Sequence, residues 1–225
     1  MPRRIFAPAS AFAALALCSA LALAALGPAA ALAQEEDDGL TEAQLAARKP
    51  VKTLIGAIRQ SKDDLAASFV AYEAMCRTLL DETWNELTEA ERKEFVDGFA
   101  YLLKATSFPK ARELFAKAET ALHIEYEPAR IDEAKGEARI RSLIVIHSQV
   151  KKDEITIEYL LRKIDGQWLI YDTEDASGES TLAGIREDQV IPLLDEGGPK
   201  HLLATLRKKV AEAKAKAKAK AGTGS

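Results

Sequence analysis

Asp172 is the one carboxylate whose surroundings suggest chemistry. It follows Trp168-Leu169-Ile170-Tyr171 at the end of an apolar run, where burial would raise its pKa toward the range of a general base. A base of that kind needs a neighbour to stabilise developing charge, and on a strand Tyr171 points to the opposite face. The expected role of Asp172 is therefore structural, hydrogen-bonded at a strand end, with catalysis as the competing reading. The remaining inventory is thin. His123, His147 and His201 stand far apart in the chain with no metal-ligand spacing, and the first two fall opposite apolar stripes, at surface positions. Nucleophile elbows, glycine-rich phosphate loops and C-x-x-C pairs do not occur. Cys76 lies in a helical pattern and reads as a small buried apolar residue. Lys151 and Lys152 could meet a phosphate, although a polar turn accounts for them equally simply. These residues call for no cofactor and no metal.

The ends of the chain bound where any site can lie. Arg3 and Arg4 precede an apolar stretch from Ala11 to Leu26, and Ala31-Leu32-Ala33 has the small-x-small pattern of signal-peptide cleavage. Residues 1–33 are therefore expected to be a cleaved signal peptide, a retained membrane anchor being the competing reading. Removing 33 of 225 residues leaves 192, one domain's worth. Loss of the two arginines takes the formal net charge from −4 to −6, which disfavours nucleic acid as a partner. Cys76 would then be the single cysteine, so an exported chain must rely on its core without an internal disulfide. Residues 34–49 read as an acidic, polar leader. Residues 212–225 read as a solvated tail in which Ala and Lys alternate, with contact to anionic headgroups as the functional alternative.

Between these ends, helices are expected first and strands second. Pro50 is expected to open a helix with Val51, Leu54, Ile55 and Ile58 on one face. A three-to-four spacing runs from Leu65 to Leu87 and includes Phe69, Tyr72, Cys76, Leu79, Leu80 and Trp84. Thr88 and Glu91 form a capping box ahead of a helix carrying Phe95, Phe99, Leu102 and Leu103. Pro109 should punctuate, with "KARELFAKAE" as a further short helix. The period then falls to two. Four strands are expected, around His123, Ile144, Ile157 and Ile170, with Asp165-Gly166 turning the last hairpin. Two helical stretches, "STLAGIREDQVIPLL" and "PKHLLATLRKKVAEA", close the pattern, the second with Leu202, Leu203 and Leu206 inward. The fold class is α+β: a helical layer on a four-stranded antiparallel sheet, in a domain spanning residues 50–211. Periodicity does not decide whether the two apolar faces close into a solid core or enclose a cavity.

The order of these motifs resembles the MlaC family, also called the toluene-tolerance family. Trp84 followed by Phe95 and Phe99 is similar to its helical motif. Tyr159, Leu161, Trp168, Ile170 and Asp172 are similar to its strand motif, and the likeness runs from about Val51 to Val210. The chain departs from the pattern in three places: Asp81 stands where the family has glycine before the tryptophan, Ile185 where it has tyrosine, and "DASGEST" is more polar than its counterpart. The resemblance implies a curved sheet enclosing an apolar cavity. It also implies a periplasmic phospholipid ligand, passed between an outer-membrane lipoprotein complex and an inner-membrane ABC-type transporter.

Such a ligand sets a physical requirement. A diacyl lipid leaving a bilayer exposes about 30 methylenes at ~0.8 kcal/mol each, so a soluble carrier must supply some 20 kcal/mol of apolar surroundings. The candidate cavity wall is a helix stripe of Leu79, Leu80, Phe95, Phe99, Leu102 and Leu103, facing a sheet stripe of Ile144, Ile146, Ile157, Tyr159, Trp168 and Ile170. Two other readings compete with it: a small cone-shaped enzyme with Asp172 as base, and a periplasmic adaptor with a filled interior.

Overall fold

The computed structural model describes residues 39–117, 122–147 and 152–222. The expected signal peptide, residues 34–38 of the leader and Lys151 lie outside these residues, and nothing is described of the side chains of Ile146, His147 and Lys152.

Helix α1 spans Glu42–Arg59, so it begins well before Pro50. Thr41 accepts from the Gln44 backbone N–H at 3.2 Å, and the Gln44 side chain accepts from the Thr41 N–H at 3.0 Å. This reciprocal box satisfies two N-terminal donors and fixes the start. Pro50 therefore sits inside the helix, where it costs one backbone hydrogen bond but buries its ring.

The stretch from Leu65 to Leu87 is not one helix but three: α2 (Asp63–Ala67), α3 (Tyr72–Leu80) and α4 (Thr83–Glu86). The first break is tertiary in origin. Ala71 N–H donates to the Ile170 carbonyl and Ile170 N–H to the Phe69 carbonyl, both at 2.9 Å, so Phe69–Ala71 pairs with a strand instead of continuing the helix. The second break is at Asp81, whose φ of 50° and ψ of −124° belong to glycine's territory. Its carboxylate accepts from Arg186 at 3.1 Å.

Thr88 caps α5 (Glu89–Leu102) through the expected box with Glu91. Pro109 does not end the chain's helical course. A π-helical turn, Leu103–Ser107, joins α5 directly to α6 (Phe108–Lys117). The wider turn accommodates the proline ring, and Thr106 Oγ1 donates to the Leu102 carbonyl at 2.6 Å, an acceptor on that stretch.

Five strands follow: β1 (Leu122–Tyr126), β2 (Arg130–Asp132), β3 (Glu137–His147), β4 (Lys152–Ile164) and β5 (Gln167–Glu174). The sheet order is β1-β3-β4-β5, antiparallel throughout, and the short β2 pairs with the same edge of β3 as β1. Asp165 and Gly166 take φ of 50° and 81° at the β4–β5 hairpin, the positive pair of a type I′ turn. The register shifts between Leu160 and Leu161 because Tyr171 is an extra residue on β5. The outer face is mixed: Val145 and Leu160 are buried on it, Glu158 is buried beneath Arg130 and Arg139, and Arg139 also reaches Glu174 at 2.8 Å.

After β5, Ser180 caps α7 (Thr181–Ile185) by accepting from Ala183 N–H at 3.0 Å. A second π-helical turn, Arg186–Val190, leads to α8 (Ile191–Gly222), which is broken at Gly197 and at Gly198, with φ of 68°. Pro199 restarts the helix, and the Ala/Lys run continues it to Gly222. α8 lies along α5, with Arg207 bound to Glu94 at 2.5 and 2.6 Å. Phe95, Leu79, Leu80, Ile140, Ile144, Leu161, Leu202 and Leu206 are fully buried between the helices and the inner face of the sheet. The architecture is the expected α+β layering on a curved antiparallel sheet.

Candidate functional site

The inner side of the fold is not filled everywhere. A cavity lies between α1, α6, α7 and the β4–β5 half of the sheet. The space open to the centre of a water molecule is about 90 Å³, within a void of about 840 Å³ that includes the open mouth. Helix α1 contributes Leu54, Ile55 and Ile58 to the wall, and Val70 and Met75 follow from the next elements. The π-helical turn and α6 contribute Leu103, Ser107, Phe108, Lys110, Ala111 and Phe115. Tyr159 and Ile170 come from the sheet, with Asp172, Thr173, Thr181 and Leu182 at the junction of β5 and α7.

Local structure explains who faces inward. Leu103 and Ser107, four residues apart at the two ends of the π-helical turn, both line the wall. On α6, Phe108, Ala111 and Phe115 recur at three and four residues, one helical face. On β5, strict alternation would send Ile170 and Thr173 to opposite sides. The bulge at Tyr171 shifts the phase, so that Thr173 stands opposite Tyr159 as Ile170 stands opposite Leu161, and both border the cavity together with Asp172.

Asp172 is held by three donors. Thr173 N–H gives 2.7 Å, Ser180 Oγ 2.5 Å and Leu182 N–H 3.1 Å. Burial pushes its carboxyl above the usual carboxylate range, and those three hydrogen bonds act in the opposite direction. With its acceptors committed to the first turn of α7, it fixes the strand end to that helix, as the structural reading expects. Thr173 Oγ1 and Thr181 Oγ1 satisfy each other at 2.9 Å. Tyr159 is buried, hydrogen-bonded to Ser142, and its hydroxyl is pushed up to about 12 by burial. Among the described residues, the one side chain hydrogen-bonded to Asp172 is the Ser180 hydroxyl.

Of the candidate wall residues, the structure brings Leu103, Tyr159 and Ile170 to the cavity. It places Leu79, Leu80, Phe95, Phe99, Leu102, Ile144, Ile157 and Trp168 in the continuous core, buried but not on the wall. Ile146 is on β3 opposite Leu122, and its side chain lies outside the description. Sequence reading found the apolar face of α1 but did not assign it to a cavity. It also left Phe108, Ala111 and Phe115 unassigned, although their spacing was the signal.

Elsewhere, chemistry is scarce. Cys76 is fully buried on α3 and burial pushes its thiol up, so it stays protonated. His123 is exposed beside Glu125 at 3.0 Å, and His201 lies 3.4 Å from Glu196. Among the described residues, no cluster of His, Cys, Asp and Glu could hold a metal ion, and no helix is long and apolar enough to cross a membrane.

A helical layer on a curved sheet, parted over an apolar cavity whose carboxylate is held by two backbone N–H groups and a serine hydroxyl, defines an α+β cavity protein. The chain belongs to the MlaC protein family, which it matches over residues 41–208. The described fold is similar to that of the phospholipid-binding protein from Ralstonia solanacearum, solved in complex with a phospholipid. The TM-score is 0.60 at 16% identity, covering 77% of this chain and 99% of that one. A second solved chain, an Rd1NTF2 variant, matches at a TM-score of 0.33 and 15% identity, covering 58% of this chain and 96% of that one, and bears no argument. No curated protein sequence matches the chain.

Proposed function

We propose that this protein is a periplasmic phospholipid carrier that takes a lipid from one membrane complex and delivers it to another without chemical change. The observation that carries the proposal is the cavity. Its wall is almost wholly apolar, drawn from five helices or turns and two strands, and its carboxylate is already bonded to three protein donors. Membership in the MlaC family and the phospholipid bound by the Ralstonia solanacearum protein support the same ligand class. The signal-like first 33 residues support export, with an outer-membrane lipoprotein complex and an inner-membrane ABC-type transporter as partners.

The space now open inside is far smaller than the ~1,000 Å³ upper range of ligand pockets. Two acyl chains therefore require α1 and α6 to draw back from β5 and α7 on loading. The test is native mass spectrometry of the protein purified from the periplasm without detergent, paired with solvent extraction. The expected result is a mass increment of one diacyl phospholipid, recovered in the extract. A bare mass, together with no uptake from phospholipid vesicles, would refute the carrier reading and favour an adaptor.

A further inference from the structure

Two sets of polar groups border the cavity, and they differ in what they leave free. On β5 and α7 the groups are largely committed: Asp172 accepts three hydrogen bonds, and Thr173 and Thr181 share one. That side carries a carboxylate and keeps, of the two threonine hydroxyls, only the accepting one's proton to donate. On the π-helical turn and α6, Ser107 and Lys110 stand one turn apart and both line the cavity. Lys110 is exposed while lining it, so the cavity reaches solvent here. The neighbouring cations are occupied. Lys104 donates to Asp64 at 2.6 Å, and Arg112 forks onto Asp63. Lys110 has neither an ion pair nor a hydrogen bond to any described residue, and the Ser107 hydroxyl is equally unbonded. An ammonium without a counter-charge at the mouth of an apolar cavity is complementary to a ligand with an apolar body and an anionic end.

We propose that Lys110, with Ser107, receives the phosphate of the bound lipid and makes the cavity favour acidic headgroups over zwitterionic ones. This rests on the carrier reading. The acyl chains then lie against Leu54, Ile58, Phe115 and Ile170, and the headgroup points out past α6, away from Asp172. In a zwitterionic lipid the headgroup ammonium competes for the phosphate and repels Lys110. In phosphatidylglycerol there is no ammonium to do either. Across one such charge contact at a part-exposed site, the preference should be about three- to tenfold.

The experiment is competitive loading. Delipidated protein is incubated with vesicles of equimolar phosphatidylglycerol and phosphatidylethanolamine, re-isolated, and its bound lipid extracted and counted. Wild type should hold phosphatidylglycerol in severalfold excess. Lys110→Gln should bring the ratio near that of the vesicles, and Lys110→Glu should reverse it. Lys104→Gln, already paired and off the cavity wall, should leave the ratio alone. Bound lipid in wild-type amount with a ratio that Lys110→Glu does not move overturns the headgroup assignment and leaves the carrier standing. Equal loss of both lipids in Lys110→Glu also overturns it, since the lysine would then govern uptake and not choice. Lys110-dependent binding of inorganic phosphate by the lipid-free protein, undiminished when lipid is loaded, overturns it in favour of a free anion. No lipid in wild type refutes the carrier reading itself, and the assignment with it.

Discussion

Between α5 and α8 the apolar interior is filled; between α6, α1 and the sheet it is hollow. Both regions draw on phenylalanine, leucine and isoleucine, so composition does not set the difference. Backbone spacing does. Gly98 lets the two helices approach until a β-carbon there would lie 2.9 Å from Leu206 Cδ2. Phe95 is 1% exposed, and Leu202, Leu203 and Leu206 are 2% or less. On the hollow side the π-helical turn and the Tyr171 bulge each add a residue to a regular element, and both border the cavity. The comparison teaches that similar apolar side chains can close a core or border a cavity, depending on where a glycine lets backbones approach and where an added residue interrupts a regular element.

The largest expected effect tests the filled side against the hollow one. Phe95→Ala should destabilise by about 3–5 kcal/mol in urea unfolding, while Phe115→Ala should cost markedly less, because one side of its ring already faces a void. Equal losses would mean the wall is packed as tightly as the core. Gly98→Val should cost about 1–3 kcal/mol by overpacking the α5–α8 contact, read as a lowered urea midpoint at constant slope. A neutral result would show that the helices are free to separate.

At the cavity margin, Asp172→Ala should cost about 1–3 kcal/mol, since it orphans the donors of Ser180 and Leu182. The carboxyl also predicts a pH dependence. Its folded pKa is raised above the ordinary 3.8, so the folded state holds this proton more tightly than the unfolded chain. Its contribution to stability is complete below 3.8 and is lost as pH rises through the folded value. The stability of wild type relative to Asp172→Asn should therefore fall across that window; a constant difference would mean the carboxyl does not titrate there. The smallest effect has the opposite sign. Asp81→Gly should stabilise by about 1 kcal/mol, because glycine takes the observed dihedrals without strain and the part-exposed pair with Arg186 contributes little. A loss would assign real weight to that pair.

Where local chemistry decides, the sequence was readable. The Asp165-Gly166 turn, the Thr88–Glu91 box and the alternation through β3 and β4 follow from rules spanning a few residues. Thr41 and Gln44 carried an equally local signal, but Pro50 is the louder punctuation, and it proved to sit mid-helix. The break at Phe69–Ala71 was not readable, because its cause is pairing with Ile170 about a hundred residues away in the chain. Pro109 misled for a related reason: a π-helical turn absorbs it. The cavity wall was legible only in fragments. Periodicity shows which face of α1 or α6 is apolar, but not the distance to the face opposite.

The segment Phe69–Ala71 has one more consequence. A sheet whose last strand lies open is a template for strands of other chains. Here the two backbone hydrogen bonds at Ile170 occupy that template, and the kink at Tyr171 spoils its straightness beside them. At that point the sheet offers no growing edge for amyloid-like stacking, and on the proposed loading it would keep that protection while the walls part.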